Sequence, residues 1–184
     1  MRVLAVSGYK PHELGIFQED AKEIYFIKYA LKQRLLSFID EGLEWVVISG
    51  QRGVEQWCAE VVFQLKEEGH SLQLAVLPPF LHQEAIWKEE AQMRYARILE
   101  RADFTEPISN RPYEHPIQLR AKTEFIIAKT EALLLLHSEE HPGSPDFYLK
   151  VAEKRREGDG YPIYIITPDE LQEIVYELTE TEQF

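Results

Sequence analysis

Two glycines and a glutamate form the stretch of the chain best suited to binding chemistry. Gly50 and Gly53 lie in a polar turn after an apolar run that ends at Ser49, and Glu55 follows. Apolar residues recur at helical spacing from Val54 onwards, so the turn is predicted to join a buried strand to a helix. Glycine lets the backbone approach a ligand closely, and the first N–H groups of a helix attract anions. The pattern indicates a phosphate-binding turn, and a plain tight turn is the alternative.

Glu55 has two alternative roles. It falls in the first turn of the predicted helix, where the helix dipole favours a carboxylate by about 0.3–1 kcal/mol without any function. Alternatively, Glu55 accepts hydrogen bonds from ribose hydroxyls or acts as a catalytic acid or base, because a phosphate would be repelled by a neighbouring carboxylate. Residue chemistry alone does not separate these roles.

Three neighbouring side chains are further candidates for ligand contacts. Arg52 and Lys10 could each pair with a ligand phosphate or lie in solvent. Trp57 comes one turn after Gly53, where a large aromatic residue either packs in the core or stacks on a base at the mouth of a site. Each candidate therefore has a structural alternative.

Two further turns between a strand and a helix also carry glycine. Gly8 follows the apolar run Val3–Ser7, and Gly143 with Ser144 precedes a helical pattern. A parallel sheet places all turns of this kind at the same edge. The sequence therefore predicts that the three glycine-bearing turns converge on one pocket, with the turn at Gly143 and Ser144 as a second place for backbone contacts to an anion.

Strand and helix patterns alternate along the chain, which predicts parallel strands joined by right-handed crossovers. The resulting fold is an α/β, Rossmann-like three-layer sandwich with a mostly parallel sheet. We expect one domain over 1–184, because a chain of 184 residues that is 45% hydrophobic can bury one sizeable core. The predicted strands are 3–7, 45–49, 72–77, 132–136 and 161–166, with an irregular extended piece at 102–108. The predicted helices are 18–41, 53–68, 83–101, 118–129, 145–157 and 168–178.

Composition restricts the classes of function. Lys and Arg number 20 against 32 Asp and Glu, a net charge of −12, and no segment carries a basic stripe, so nucleic acid is disfavoured as a partner. The single cysteine, Cys58, excludes an intramolecular disulfide and fits a reducing cytoplasm. No apolar run has the length of a signal peptide or a membrane span, so we expect a cytoplasmic protein without membrane insertion.

Metal chemistry and nucleophilic catalysis have little support in the sequence. The six histidines are scattered along the chain, so no metal site and no cofactor are predicted. Ser7, Ser49 and Ser144 are turn or capping residues first, and the chain has no Gly-x-Ser-x-Gly elbow.

The three turns together resemble the YpsA family of Firmicutes. This family belongs to the SLOG superfamily of Rossmann-like proteins, which also holds DprA and the LOG cytokinin-activating hydrolases. The resemblance covers nearly the whole chain and extends to the surroundings of Pro79, Phe80 and Trp87. Its carriers are Ser7-Gly8-Tyr9-Lys10, Ser49-Gly50-Gln51-Arg52-Gly53-Val54-Glu55 and Gly143-Ser144.

The resemblance implies a pocket for a nucleotide or a nucleotide-derived small molecule such as ADP-ribose. It also implies a sensor or regulator linked to bacterial cell division, with any protein partner left open. The predicted ligand-binding residues are Gly8, Tyr9, Lys10, Ser49, Gly50, Gln51, Arg52, Gly53, Glu55, Trp57, Gly143 and Ser144.

The alternative function is a LOG-like hydrolase of a nucleotide N-glycosidic bond, with Glu55 as its catalytic acid or base. Two departures from the superfamily pattern disfavour this activity. The usual Arg-Asn pair is replaced by Lys122-Thr123, and the following Ser-Asp pair by Thr130-Glu131. A DprA-like binder of single-stranded DNA is disfavoured by the net charge of −12.

Overall fold

The computed structural model describes residues 1–181, and in this part of the chain six strands form one wholly parallel sheet. The strands are β1 (Val3–Ser7), β2 (Trp45–Ile48), β3 (Gln73–Val76), β4 (Phe104–Thr105), β5 (Ala132–Leu136) and β6 (Ile163–Ile166). Their order across the sheet is β4-β3-β2-β1-β5-β6.

Six α-helices accompany these strands within residues 1–181. They are α1 (Lys22–Asp40), α2 (Val54–Glu67), α3 (Glu89–Arg101), α4 (Ile117–Lys129), α5 (Pro145–Asp159) and α6 (Pro168–Thr181). Short 3₁₀ helices lie at Pro11–Leu14 and Gln83–Ile86. None of the helices in the described part of the chain combines the length and apolar character that crossing a bilayer requires.

The sheet lies between two layers of helices. Successive residues of β1 point to opposite sides, so that Leu4 and Val6 belong to one core cluster and Ala5 belongs to the other. Residues of α1, α2 and α6 pack in the first cluster, and residues of α4 and α5 pack in the second. This arrangement confirms the predicted α/β, Rossmann-like fold.

Because helices cover both faces, the central strands are apolar on both sides. All five residues of β5 are buried. Cys58 on α2 is also fully buried, in the first core cluster, and this burial raises the pKa of its thiol.

Strand order places the turns of interest in the middle of the sheet. The chain moves outward from β1 to β4 and then returns through α4 to β5, which pairs with β1 in parallel. β2 lies on the other side of β1. The carboxyl ends of β2, β1 and β5 are therefore adjacent, at the position where open parallel sheets bind ligands.

Several predicted boundaries differ from the structure. The continuous helix predicted over 83–101 is wrong, because Trp87 is extended and separates the 3₁₀ helix from α3. The side-chain amide of Gln92 donates to the Trp87 carbonyl and thereby stabilises this interruption between the two helices. α1 begins at Lys22 instead of position 18. The edge strand β6 begins at Ile163, after Pro162, which has no N–H to donate to a neighbouring strand.

The single domain predicted over 1–184 stays a prediction, and residues 182–184 lie outside the described part of the chain. The two core clusters share the same strands, so we expect them to unfold together. Urea titrations of single-tryptophan variants that retain Trp57, in the first cluster, or Trp45, packed against the second, should give coincident midpoints. Separate midpoints would show that the chain unfolds in two units.

Candidate functional site

The turn after β1, residues 8–10 (the first turn), packs against the turn after β2, residues 49–53 (the second turn). A Cβ at Gly8 would lie 2.7 Å from Cβ of Val54. Gly53 has φ +94°, and a Cβ there would overlap the Tyr9 carbonyl oxygen and lie 2.9 Å from Cα of Lys10. The N–H of Val54 donates to the same carbonyl oxygen at 3.1 Å. Both glycines are thus required for the backbones to approach this closely.

The turn after β5, residues 137–144 (the third turn), joins the other two through Tyr9. The Tyr9 hydroxyl donates to the carbonyl of His141 at 2.6 Å and accepts the N–H of Ser138 at 3.0 Å. A Cβ at Gly143 would lie 3.1 Å from the Tyr9 ring. The structure therefore brings all three glycine-bearing turns together, with Tyr9 buried between them.

The backbone N–H groups of the third turn already have anionic partners from the protein. Ser144 N–H donates to Oε2 of Glu13 at 2.8 Å, and Gly143 N–H donates to Oδ2 of Asp146 at 3.0 Å. The other Glu13 oxygen accepts the N–H of Lys10 at 2.8 Å. Burial alone would raise the pKa of Glu13, but the hydrogen bonds from Lys10 and Ser144 outweigh burial and lower it.

Glu55 lies beneath the second turn and is only 3% exposed. Its Oε1 accepts the N–H of Ser49 at 2.7 Å and the Ser49 hydroxyl at 2.8 Å, while its Oε2 accepts the Ser7 hydroxyl at 2.9 Å. Ser7 ends β1, and Ser49 follows the last residue of β2. The carboxylate therefore fixes the ends of two adjacent strands to the start of α2.

A buried lysine lies in the same region of the sheet. Lys122 on α4 is 9% exposed, and its ammonium donates to the Tyr148 hydroxyl at 3.1 Å and lies 4.5 Å from the centre of the Tyr148 ring. Burial lowers the pKa of Lys122, while the nearby Glu55 charge opposes this shift. Sequence reasoning identified Lys122 only as a departure from a superfamily pattern, and it missed Tyr148 entirely.

The carbonyl groups of the second turn are held by side chains that sequence reasoning also missed. Gln83 donates through its amide to the Ser49 carbonyl and to the Tyr95 hydroxyl, each at 2.9 Å. The Gln56 amide donates to the Gly50 carbonyl at 2.9 Å. Burial raises the pKa of Tyr95 to about 12, so this hydroxyl stays protonated. The turn is thus held in one conformation by a network of neutral groups.

Some donors at the second turn remain free for a ligand. Within residues 1–181, Nε of Arg52 is buried and has no hydrogen-bond acceptor. The backbone N–H groups of Glu55 and Gln56, in the first turn of α2, also have no acceptor among the described residues. Gln51 accepts the N–H of Arg52 through its side chain at 2.8 Å, which holds the tip of the turn.

Trp57 does not lie at the mouth of this site. Its side chain is 5% exposed and belongs to the core cluster between the sheet and the layer of α1 and α2. Of the two alternatives for Trp57, packing in the core and stacking on a base, the structure shows packing in the core.

A parallel sheet with glycine-bearing turns meeting at the start of α2 defines a Rossmann-like protein whose site suits an anionic ligand. Residues 4–171 match the YpsA family model, described as the YspA SLOG family. The chain belongs to this family. Membership of this family supports the interpretation of the chain as a Rossmann-like protein that binds a nucleotide-related ligand.

Similar proteins occur in several bacilli. The UPF0398 protein YpsA of Bacillus subtilis is 52% identical over 177 residues, which cover 96% of this chain and 98% of the relative. A UPF0398 protein of Bacillus velezensis is 54% identical over 96% of this chain and 97% of its own. Another, from Bacillus licheniformis, is 49% identical over the full length of both chains.

The Glu55 network generates a prediction about stability in the absence of ligand. In Glu55→Gln the amide oxygen can still accept the hydrogen bonds from Ser49. The amide nitrogen must then face Ser7, and one of its N–H groups is buried without a partner. We expect the free energy of unfolding in urea to fall by about 1–3 kcal/mol. The matched control is Glu60→Gln on the same helix, which breaks only a half-exposed pair with Lys28 and should change stability by less than about 1 kcal/mol. Equal stabilities of the two variants would contradict a structural role for Glu55.

Proposed function

We propose that this protein binds a nucleotide-derived small molecule of the ADP-ribose type and acts as a sensor or regulator. The observation that supports this proposal most directly is the buried Nε of Arg52, which has no acceptor among the described residues. Buried donors are rarely left unpaired in folded proteins. An anionic ligand at the second turn would supply the missing acceptor.

The proposed position of the phosphate is the start of α2. The free N–H groups of Glu55 and Gln56 lie in the first turn of this helix, where the helix dipole favours negative charge. Gly53, at the N-terminal cap with φ +94°, carries no side chain, and the backbone of Tyr9 and Lys10 packs against it on one side. Each charge-assisted hydrogen bond would contribute about 1.5–3 kcal/mol. A diphosphate has enough oxygens to use Arg52 and the helix N–H groups together.

Seven of the predicted ligand-binding residues, all in the turns after β1 and β2, divide into two groups. Gly8, Tyr9 and Ser49 shape the turns through packing and hydrogen bonds, so their proposed contribution to binding is indirect. Lys10, Gly50, Gln51 and Arg52 lie along the two turns that meet at α2, and we propose that they surround the ligand directly.

The geometry of Glu55 favours a binding protein over an N-glycosidic hydrolase. A catalytic acid or base must exchange a proton with the substrate, yet both oxygens of Glu55 accept hydrogen bonds from Ser7 and Ser49. We therefore propose binding without base release. Release of adenine from AMP by the wild type, lost in Glu55→Gln, would establish the hydrolase instead.

A role in cell division is proposed from the family resemblance alone. If ligand binding controls this role, a variant that folds but does not bind should fail to regulate division. Cell length in a Bacillus host whose own family member is replaced by the wild type or by Gly53→Ala tests this link.

The first ligand prediction concerns phosphate dependence. ADP and ADP-ribose should raise the melting temperature, whereas adenosine should have little effect, because the proposed contacts are made to phosphate. A ligand at a hundred times its dissociation constant stabilises the folded state by about 2.7 kcal/mol, which thermal denaturation readily detects. Equal shifts from ADP and adenosine would remove phosphate recognition from the proposal.

The second ligand prediction uses two glycines with nearly the same φ. Gly53 has φ +94° and Gly69 has φ +98°, but a Cβ at Gly69 meets nothing within 4 Å. Gly69→Ala should therefore pay only the cost of positive φ, about 1–2 kcal/mol of stability, and bind ADP normally. Gly53→Ala should lose at least about tenfold in ADP affinity as well, because its Cβ pushes the turns apart.

Calorimetric titration of both variants, below the temperature at which either unfolds, measures this difference. Circular dichroism checks that each is folded. Equal ADP affinities for the two variants would show that the close approach at Gly53 does not shape the site.

A further inference from the structure

Glu13 occupies the place where the sequence predicts a second contact to an anion. Its two oxygens accept N–H groups from Lys10 in the first turn and Ser144 in the third turn. A carboxylate has about four lone-pair positions, so these two bonds and a further bond from the Ser144 side chain leave room for another donor. The residue as a whole is partly exposed.

Glu13 is held in its charged form. Partial burial would raise its pKa, but hydrogen bonds from the Lys10 N–H and from Ser144, with the nearby Lys10 charge, together lower it. A ligand phosphate placed on Gly143 and Ser144 would therefore meet a like charge at contact distance. Hydroxyl groups, in contrast, are suitable donors to a carboxylate.

The distance between Glu13 and the second turn is short. The N–H of Lys10 donates to Glu13, and Cα of the same residue would lie 2.9 Å from a Cβ at Gly53. A single nucleotide can therefore span from the start of α2 to Glu13. Glu55 is a poorer acceptor for such a ligand, because it is buried and bonded to Ser7 and Ser49.

We propose that Glu13 is the specificity-determining residue that accepts the sugar hydroxyls of the ligand and keeps its phosphates at the second turn. This inference rests on the proposed binding function. The ligand class is then nucleotides with ribose hydroxyls, in preference to their deoxygenated analogues. Glu13 at the third turn contacts the sugar, and the third turn does not bind a second phosphate.

The test compares ADP with 2′,3′-dideoxy-ADP, which lacks both sugar hydroxyls, and with inorganic pyrophosphate, which lacks the sugar. Calorimetry on the wild type should show ADP binding about tenfold more tightly than the dideoxy analogue. In Glu13→Ala this preference should fall close to unity, while pyrophosphate should bind as tightly as in the wild type or more tightly.

The matched control is Asp146→Asn, which changes the other carboxylate bonded to the third turn. It should keep the preference for ADP, because Asp146 is already paired with His137 and Gly143. A preference that survives in Glu13→Ala, or that is absent in the wild type, would overturn the role of Glu13. Loss of pyrophosphate binding in Glu13→Ala would also overturn it, since Glu13 would then act only by holding the turns together. Failure of all three probes to bind the wild type would instead overturn the proposed function.

Discussion

The geometry of the site depends on one buried carboxylate. Glu55 accepts hydrogen bonds from Ser7 and Ser49, and it thereby ties β1, β2 and the start of α2 to one another. A buried charge is costly to remove from water, and these donors are what makes it tolerable. Because the same donors end two neighbouring strands, this carboxylate sets the position of the second turn relative to the first together with the Val54–Tyr9 backbone hydrogen bond.

The remaining polar groups around this centre act as a fixed frame. Gln83 and Gln56 hold the carbonyls of the second turn, and Lys122 offsets part of the buried negative charge from the opposite helix layer. A frame of this kind leaves few polar atoms unpaired. The acceptor-free Nε of Arg52 is therefore informative, because no other buried side-chain nitrogen or oxygen within residues 1–181 lacks a partner.

The sequence predicts the sheet and the main turns because their signals are local. Apolar runs indicate the strands. The glycine at position 53 indicates both a positive φ in the second turn and the close approach of the first turn to it. The contacts of Lys122 and Tyr148 could not be predicted, because they join distant parts of the chain. Glu13 had a weak local signal, since it lies three residues after Lys10 at the start of a 3₁₀ helix, a capping-box spacing. Its bond to Ser144 spans 131 positions and has no such signal.

The place of Cys58 has a practical consequence. This thiol is fully buried on α2, one turn beyond the residues that form the start of the helix, and burial raises its pKa. The thiolate attacks the alkylating reagent and displaces its leaving group, so labelling requires α2 to detach transiently from the sheet and expose the sulfur. The chain contains no other cysteine. The rate of alkylation therefore reports how often this helix opens, without introducing any foreign probe into the protein.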